Sequence, residues 1–315
     1  MPRDVSLTTG RSFPVADAAS GPYALTTGPD GALWCTLVHA GRIARLDPVG
    51  RTPVTEFPLD SPDCGPAQIT AGPDGALWFT RMRDDRIGRI TTDGTSRSYP
   101  VPTPGSGPYG MTTGPDGALW FTGMNSDRIG RMEVDGTVRE FALPGLSGAF
   151  PSMIASGGDG ALWFTLNRAH ALGRITTAGE VTVHPLPTAT AGPVGITAGP
   201  DGALWFTEIG AGRIGRITTS GEITGHPLPD PLCRPHAITA GPDGALWFTE
   251  WATSHIGRLT VAGELTRYPL PAPDCEPHGL AFGPDGALYT ALERGDILRL
   301  VPQEGRPGEH RAGAS

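Results

Sequence analysis

An all-β fold, a seven-bladed β-propeller with four antiparallel strands per blade, is predicted by three observations. A segment of the form Gly-Pro-Asp-Gly-Ala-Leu-Trp-Phe-Thr recurs seven times, the copies are 42–44 residues apart, and 46 Gly and 33 Pro punctuate the 315 residues. In an aperiodic sequence that Gly and Pro content argues for disorder. At a fixed period it marks turns between short strands. An apolar fraction of 38% supplies a core, and only 18% of residues are charged, which argues against a coiled coil or helical bundle.

The elements follow in order within each copy. Trp34, Trp78, Trp120, Trp163, Trp205 and Trp247 share one column, and Tyr289 takes the place in the seventh. In the sixth copy a first apolar run at 237–240 leads through Pro-Asp-Gly to a second at 245–249. A third at 256–260 and, after a Gly-containing turn, a fourth at 265–270 complete it. Short β-rich runs separated by Asp-Gly turns are antiparallel hairpins. Residues 11–15 resemble the fourth-strand stretch 97–101 but precede the first copy, whereas the seventh copy ends near Val301 without a fourth run of its own. The N-terminal strand therefore closes the last blade, which removes a free sheet edge. One domain over 1–301 and a flexible tail over 302–315, rich in Gly and charge, are expected.

Acids outnumber bases by 32 to 24, for a formal charge of -8, which disfavours a nucleic-acid or anionic-membrane partner. Every base is Arg, so the absence of Lys excludes Schiff-base chemistry. Neither a signal-peptide core nor a membrane-length apolar run is present, and a cytoplasmic monomer is expected. Cys35, Cys64, Cys233 and Cys275 form no CxxC pair and read as free thiols.

Columns repeated in every copy read as architecture. The Asp residues at 30, 74, 116, 159, 201, 243 and 285 are assigned to turns rather than metal. The Arg column at 45, 89, 131, 174, 216, 258 and 299 is assigned to packing and surface. Function is sought where copies differ, on the face opposite the Pro-Asp-Gly turns.

At the entry to the innermost strand the residue before the recurring Pro is Gly21, Gly65, Gly107, Phe150, Gly192, Arg234 or Glu276. The residue after it is Tyr23, Ala67, Tyr109, Ser152, Val194, His236 or His278. Residues two apart on an extended chain point the same way, so both columns face the channel mouth. Blades six, seven and one adjoin in the closed ring, which gathers Arg234, His236, Glu276, His278 and Tyr23. The loop between second and third strands of blade seven adds Glu293, in the column of Trp251. Two carboxylates beside imidazoles suit a hard divalent cation that keeps several waters, such as Mg2+. The remaining histidines, among them His39, His184, His226 and His310, are assigned to core or surface.

Gly-Pro-Tyr at 21–23, Arg-Pro-His-Ala-Ile-Thr at 234–239, Leu-Trp-Phe-Thr-Glu-Trp at 246–251 and Glu-Pro-His-Gly at 276–279 resemble the motifs of the virginiamycin B lyase family. The similarity runs from about residue 11 to residue 300. Blade repeats are shared by many propellers; the Arg-Pro-His and Glu-Pro-His pair in successive blades is far more specific. The family linearises type B streptogramins, cyclic depsipeptide lactones, by an elimination that adds no water. The resemblance implies Mg2+ ligands at Glu276 and Glu293, a general base at His278, and substrate contacts at His236 and Tyr23. Ala24 departs from the family's Gly after Gly-Pro-Tyr, and the C-terminal tail is longer.

The residue types match that chemistry. The ester oxygen lies β to a threonine α-carbon whose proton is acidified by the adjacent carbonyl. A cation on that carbonyl stabilises an enolate-like transition state, and a neutral imidazole removes the proton. Two other readings stand beside this one: a propeller lactonase that hydrolyses its substrate with metal-bound water, and a non-catalytic propeller that binds a peptide or protein.

Overall fold

The computed structural model describes residues 5–50 and 53–304. Seven four-stranded antiparallel sheets follow one another around a ring. Blade one is built from Pro22–Thr27, Leu33–Leu37, Arg42–Leu46 and Val54–Pro58, in that order outward, and the next five blades repeat this meander. Blade seven takes Pro277–Phe282, Leu288–Leu292 and Asp296–Glu304 from the C-terminal end and Val5–Pro14 from the N-terminal end. No helix of the described residues is long and apolar enough to cross a membrane.

Closure of the ring is as expected in kind and longer in extent. The closing strand is Val5–Pro14 rather than 11–15, paired from Val5 opposite Glu304 to Pro14 opposite Asp296 with an irregularity between Thr9 and Ser12. Val15 falls past the strand, and its N–H binds the Gly295 carbonyl at 2.9 Å. The partner strand continues to Glu304, so the first residues of the expected tail are strand; 305–315 lie outside the described residues.

The repeated columns explain the blades. In the second strand, Leu and Trp side chains alternate between opposite faces of the sheet, and the six Trp residues and Tyr289 are fully buried between blades. A fourth-strand ring stacks on each Trp: Phe57 on Trp34, Tyr99 on Trp78, Phe141 on Trp120, His184 on Trp163, His226 on Trp205 and Tyr268 on Trp247. His184 and His226 are thus packing residues.

The Asp column does more than turn the chain. In blade three Asp116 accepts the Trp120 indole N–H at 3.0 Å on one oxygen and the Arg131 guanidinium at 2.7 Å on the other. The other five Trp blades repeat this Trp–Asp–Arg triad. Blade seven substitutes the Tyr289 hydroxyl for the indole. The Arg column is therefore the second half of a buried-donor anchor.

A Thr column joins blades. Thr207 Oγ donates to the His236 carbonyl at 2.9 Å and Thr249 Oγ to the His278 carbonyl at 3.0 Å, while each accepts an N–H from the first strand of its own blade. Blades five and six thereby hold the backbone of the two histidines singled out from sequence. The four cysteines are buried free thiols, and burial pushes Cys35 and Cys233 up to about 12.

Candidate active site

Five residues nominated from sequence lie on the face opposite the Pro-Asp-Gly turns, and four of them are linked by side-chain contacts. His278 packs against Tyr23 with ring centroids 4.7 Å apart and against His236 at 4.9 Å, nearly edge-on. Tyr23 and His236 are 6.1 Å apart. Glu293 Oε2 lies 2.5 Å from His278 Nε2. Glu276 joins through the backbone: the Glu293 N–H donates to its carbonyl at 3.2 Å, so the two carboxylate-bearing residues are adjacent although 17 positions apart in sequence.

The tight join between blades seven and one has a glycine at its centre. A Cβ on Gly279 would come within 2.5 Å of the Tyr23 carbonyl, so only Gly lets His278 and Tyr23 approach from adjoining blades. This gives the Gly of Glu-Pro-His-Gly its physical reason.

Two site residues escaped the sequence reading. His39, assigned to core or surface, places Nε2 3.0 Å from Glu293 Oε1, so one carboxylate bridges two imidazoles. Its seat is cut by Gly21, where a Cβ would meet the His39 ring at 2.4 Å. His39 sits in a loop whose equivalents are Arg83, Asn125, Arg168, Gly210, Ala252 and Arg294, a column without pattern. Tyr109 shares a hydroxyl hydrogen bond with Tyr23 from two blades away. Its position in the Tyr23 column was visible, but contact across the mouth was not. His310 lies outside the described residues.

Electrostatics follow from burial. Desolvation lowers His236 to about 3, helped by His278, so this ring is neutral near pH 7. Burial also lowers His278, against the opposing hydrogen bond and charge of Glu293. Burial favours the neutral form of Glu293, yet the hydrogen bonds from His39 and His278 together hold it below the ordinary carboxylate range. Tyr23 is raised well above an ordinary phenol by burial and then by Tyr109. The cluster thus offers neutral imidazoles at His236 and His278, a neutral phenol at Tyr23 and an ionised carboxylate at Glu293. The His236 and His278 Nδ1 atoms are buried without a hydrogen-bond partner among the described residues.

As a cation site, Glu276 and Glu293 provide hard oxygen donors on adjacent backbone. No group of three or more His, Cys, Asp or Glu side chains is arranged around a metal position among the described residues. The donor chemistry fits an ion held by two carboxylates and completed by water or substrate, as Mg2+ commonly is.

A closed propeller with an acid–base cluster at one mouth of its channel defines the class. The chain belongs to the virginiamycin B lyase family, whose model matches residues 8–300. It is similar to the crystal structure of virginiamycin B lyase from Staphylococcus aureus, with a TM-score of 0.89 and 45% identity, covering 95% of this chain and 99% of that one. A catalytically inactive histidine-to-alanine variant of the S. aureus lyase, in a structure with quinupristin, gives 0.88 and 44%, with 95% and 99% covered. The Streptomyces coelicolor virginiamycin B lyase is 68% identical over 38 residues, a local match spanning 12% of this chain and 13% of that protein's length.

Proposed function

We propose that this protein is a streptogramin B lyase that linearises cyclic depsipeptide lactones by elimination at the threonine ester, a carbon–oxygen lyase reaction conferring antibiotic inactivation. The observation that carries the reading is the His278 ring, bound to Glu293 through Nε2 and packed between Tyr23 and His236. With Glu293 ionised, Nε2–H is the donor of that bond, which leaves the lone pair on Nδ1. Nδ1 is the proton acceptor in this scheme. His278 removes the threonine α-proton, the C–H electron pair becomes the Cα–Cβ double bond, and the Cβ–O bond breaks to release the carboxylate.

His236, neutral and packed edge-on against the His278 ring, hydrogen-bonds the ester and orients it, and Tyr23 contacts the ring beside it. Glu276 and Glu293 are the residues to hold Mg2+, which when bound supplies positive charge to the carbonyl next to the acidic α-carbon. The fixed charge of Glu293 also favours the imidazolium that His278 becomes after proton transfer. The same reading includes a cytoplasmic monomer.

The test is incubation with a type B streptogramin and Mg2+, followed by product mass. Elimination gives a linear product with the mass of the intact ring; addition of one water would favour the lactonase reading, and an unconsumed ring the binding propeller. His278→Ala is expected to lower turnover by about 10²–10⁴-fold with unchanged thermal unfolding. Near-wild-type turnover by that variant removes His278 as base, and turnover indifferent to chelator removes Mg2+.

A further inference from the structure

We propose that Arg234 and Trp251 form a substrate subsite beside the reacting ester, one that takes a peptide carbonyl and the flat side chain next to it. The inference rests on the lyase reading and adds two residues to it.

The backbone supplies the first argument. The position before the recurring Pro is left-handed in every blade: φ is 66° at Gly21, 60° at Gly65, 57° at Gly107 and 52° at Gly192. Blades four, six and seven hold Phe150, Arg234 and Glu276 in that conformation, at 60°, 51° and 50°. A side chain there is strained, whereas Gly is not, so the fold itself favours Gly. Four of the five left-handed non-Gly residues elsewhere among the described residues use their side chains structurally. Asp85, Asp127, His170 and Ser254 each accept a backbone N–H from the following blade's entry segment, from Gly107, Ala149, Gly192 and Cys275 at 2.8–3.1 Å. Arg234 is exposed, and its guanidinium lies over the Trp251 ring at 5.5 Å.

The second argument is placement. Arg234 and Trp251 are the blade-six counterparts of Glu276 and Glu293, joined by the same backbone bond, Trp251 N–H to Arg234 carbonyl at 3.1 Å. Trp251 stands 6.2 Å from the His278 ring and, with Ala252, Asp274 and Glu276, lines a cavity of about 200 Å³. Its indole N–H is buried and has no partner among the described residues. Leu232, two residues before Arg234, is 75% exposed. Guanidinium and indole N–H donors next to a flat apolar surface match a peptide carbonyl flanked by an aromatic or aliphatic side chain. A cyclic depsipeptide presents peptide carbonyls beside such side chains around its ring.

Arg234→Gly separates substrate binding from structure, because it installs the residue that four sister blades use. It is expected to raise Tm by about 1–3 °C while raising KM about tenfold, with a smaller change in kcat. Trp251→Met, with the residue of Met82 and Met124 in the same column, is expected to raise KM comparably. In a His278→Ala background, calorimetry should give a matching loss of affinity for the intact lactone. KM and affinity within twofold of the parent in both variants overturn the subsite. A wild type that neither binds nor opens the ring overturns the lyase reading itself, whereas a wild type that opens it beside unaffected variants overturns the subsite alone.

Discussion

Asp116→Ala and Asp116→Asn together test whether the repeated carboxylate anchors the blade or only turns the chain. Asp116 Oδ1 receives the indole N–H of Trp120, which is fully buried, and Oδ2 receives Arg131. Alanine leaves the indole donor buried and unpaired, a cost of about 1–3 kcal/mol. It also removes a partly exposed ion pair worth about 0.2–1 kcal/mol. The sum is about 1–4 kcal/mol. Asparagine keeps a carbonyl oxygen for Trp120 but turns an amide NH2 toward the Arg131 guanidinium, so the ion pair and its hydrogen bond are lost, about 0.2–1 kcal/mol for a partly exposed pair. Urea unfolding followed by tryptophan fluorescence measures both. Equal losses for the two variants would place the energy in the Arg131 pair and refute the buried-donor argument; losses under about 0.5 kcal/mol in both would return Asp116 to a turn residue.

Glu208 offers the opposite sign. Its side chain is 2% exposed, its Oε2 lies 3.6 Å from Arg213 Nε, and neither atom has a hydrogen-bond partner among the described residues. Leu37, Leu166 and Leu292 hold this position in three of the other six blades, so Glu208→Leu is expected to stabilise the protein by about 1 kcal/mol, read from the urea midpoint. Burial raises the Glu208 pKa above its ordinary 4.5, against Thr188 and Arg213. The folded state therefore binds the proton more tightly, and stability falls as pH rises from 4.5 through the folded value. The gain should be full above that window and absent below it; a gain independent of pH contradicts the assignment. His39→Ala is expected to lower kcat about 10–100-fold through the loss of a carboxylate partner, with partial recovery in His39→Gln, which can still donate to Glu293. Unchanged kcat in His39→Ala removes the positioning role.

The ring was legible because its causes are periodic. Each blade needs the same turns and the same Trp, so seven copies and an orphan strand implied closure. The Trp–Asp–Arg anchor was less so: Asp and Trp are four residues apart and Asp and Arg 15 apart in six blades, but Asp-Gly already had a sufficient reason as a turn. The site divides in the same way. Glu276 sits just before the recurring entry Pro and His236, His278 and Tyr23 just after it, two repeated positions where departure from the pattern is visible. His39 lies in a loop with no pattern to depart from, and Tyr109 acts across the mouth, a distance that adjacency around a ring does not specify.

The seam between blades seven and one holds Tyr23 differently from its counterparts in the other blades. In blades one to six the Thr column donates to the carbonyl of the residue after the entry Pro in the next blade, which pins His236 and His278. Blade seven has Ala291 at that position, where the sequence Leu-Tyr-Thr-Ala shifts the Thr inward to Thr290, whose hydroxyl binds Gly279 of its own blade. Ala291 has no hydroxyl to offer Tyr23. Blade one is tied across the seam by His39 to Glu293 at 3.0 Å and, at the far end of the innermost strand, by Thr27 Oγ to the Phe282 carbonyl at 2.9 Å, a bond that Thr113 also makes to the Ala71 carbonyl between blades three and two. At the site end, Tyr23 is positioned by its ring packing on His278 and by its hydroxyl on Tyr109. The two histidines are thus fixed through their backbones by neighbouring blades, while the tyrosine that faces them is fixed through its side chain.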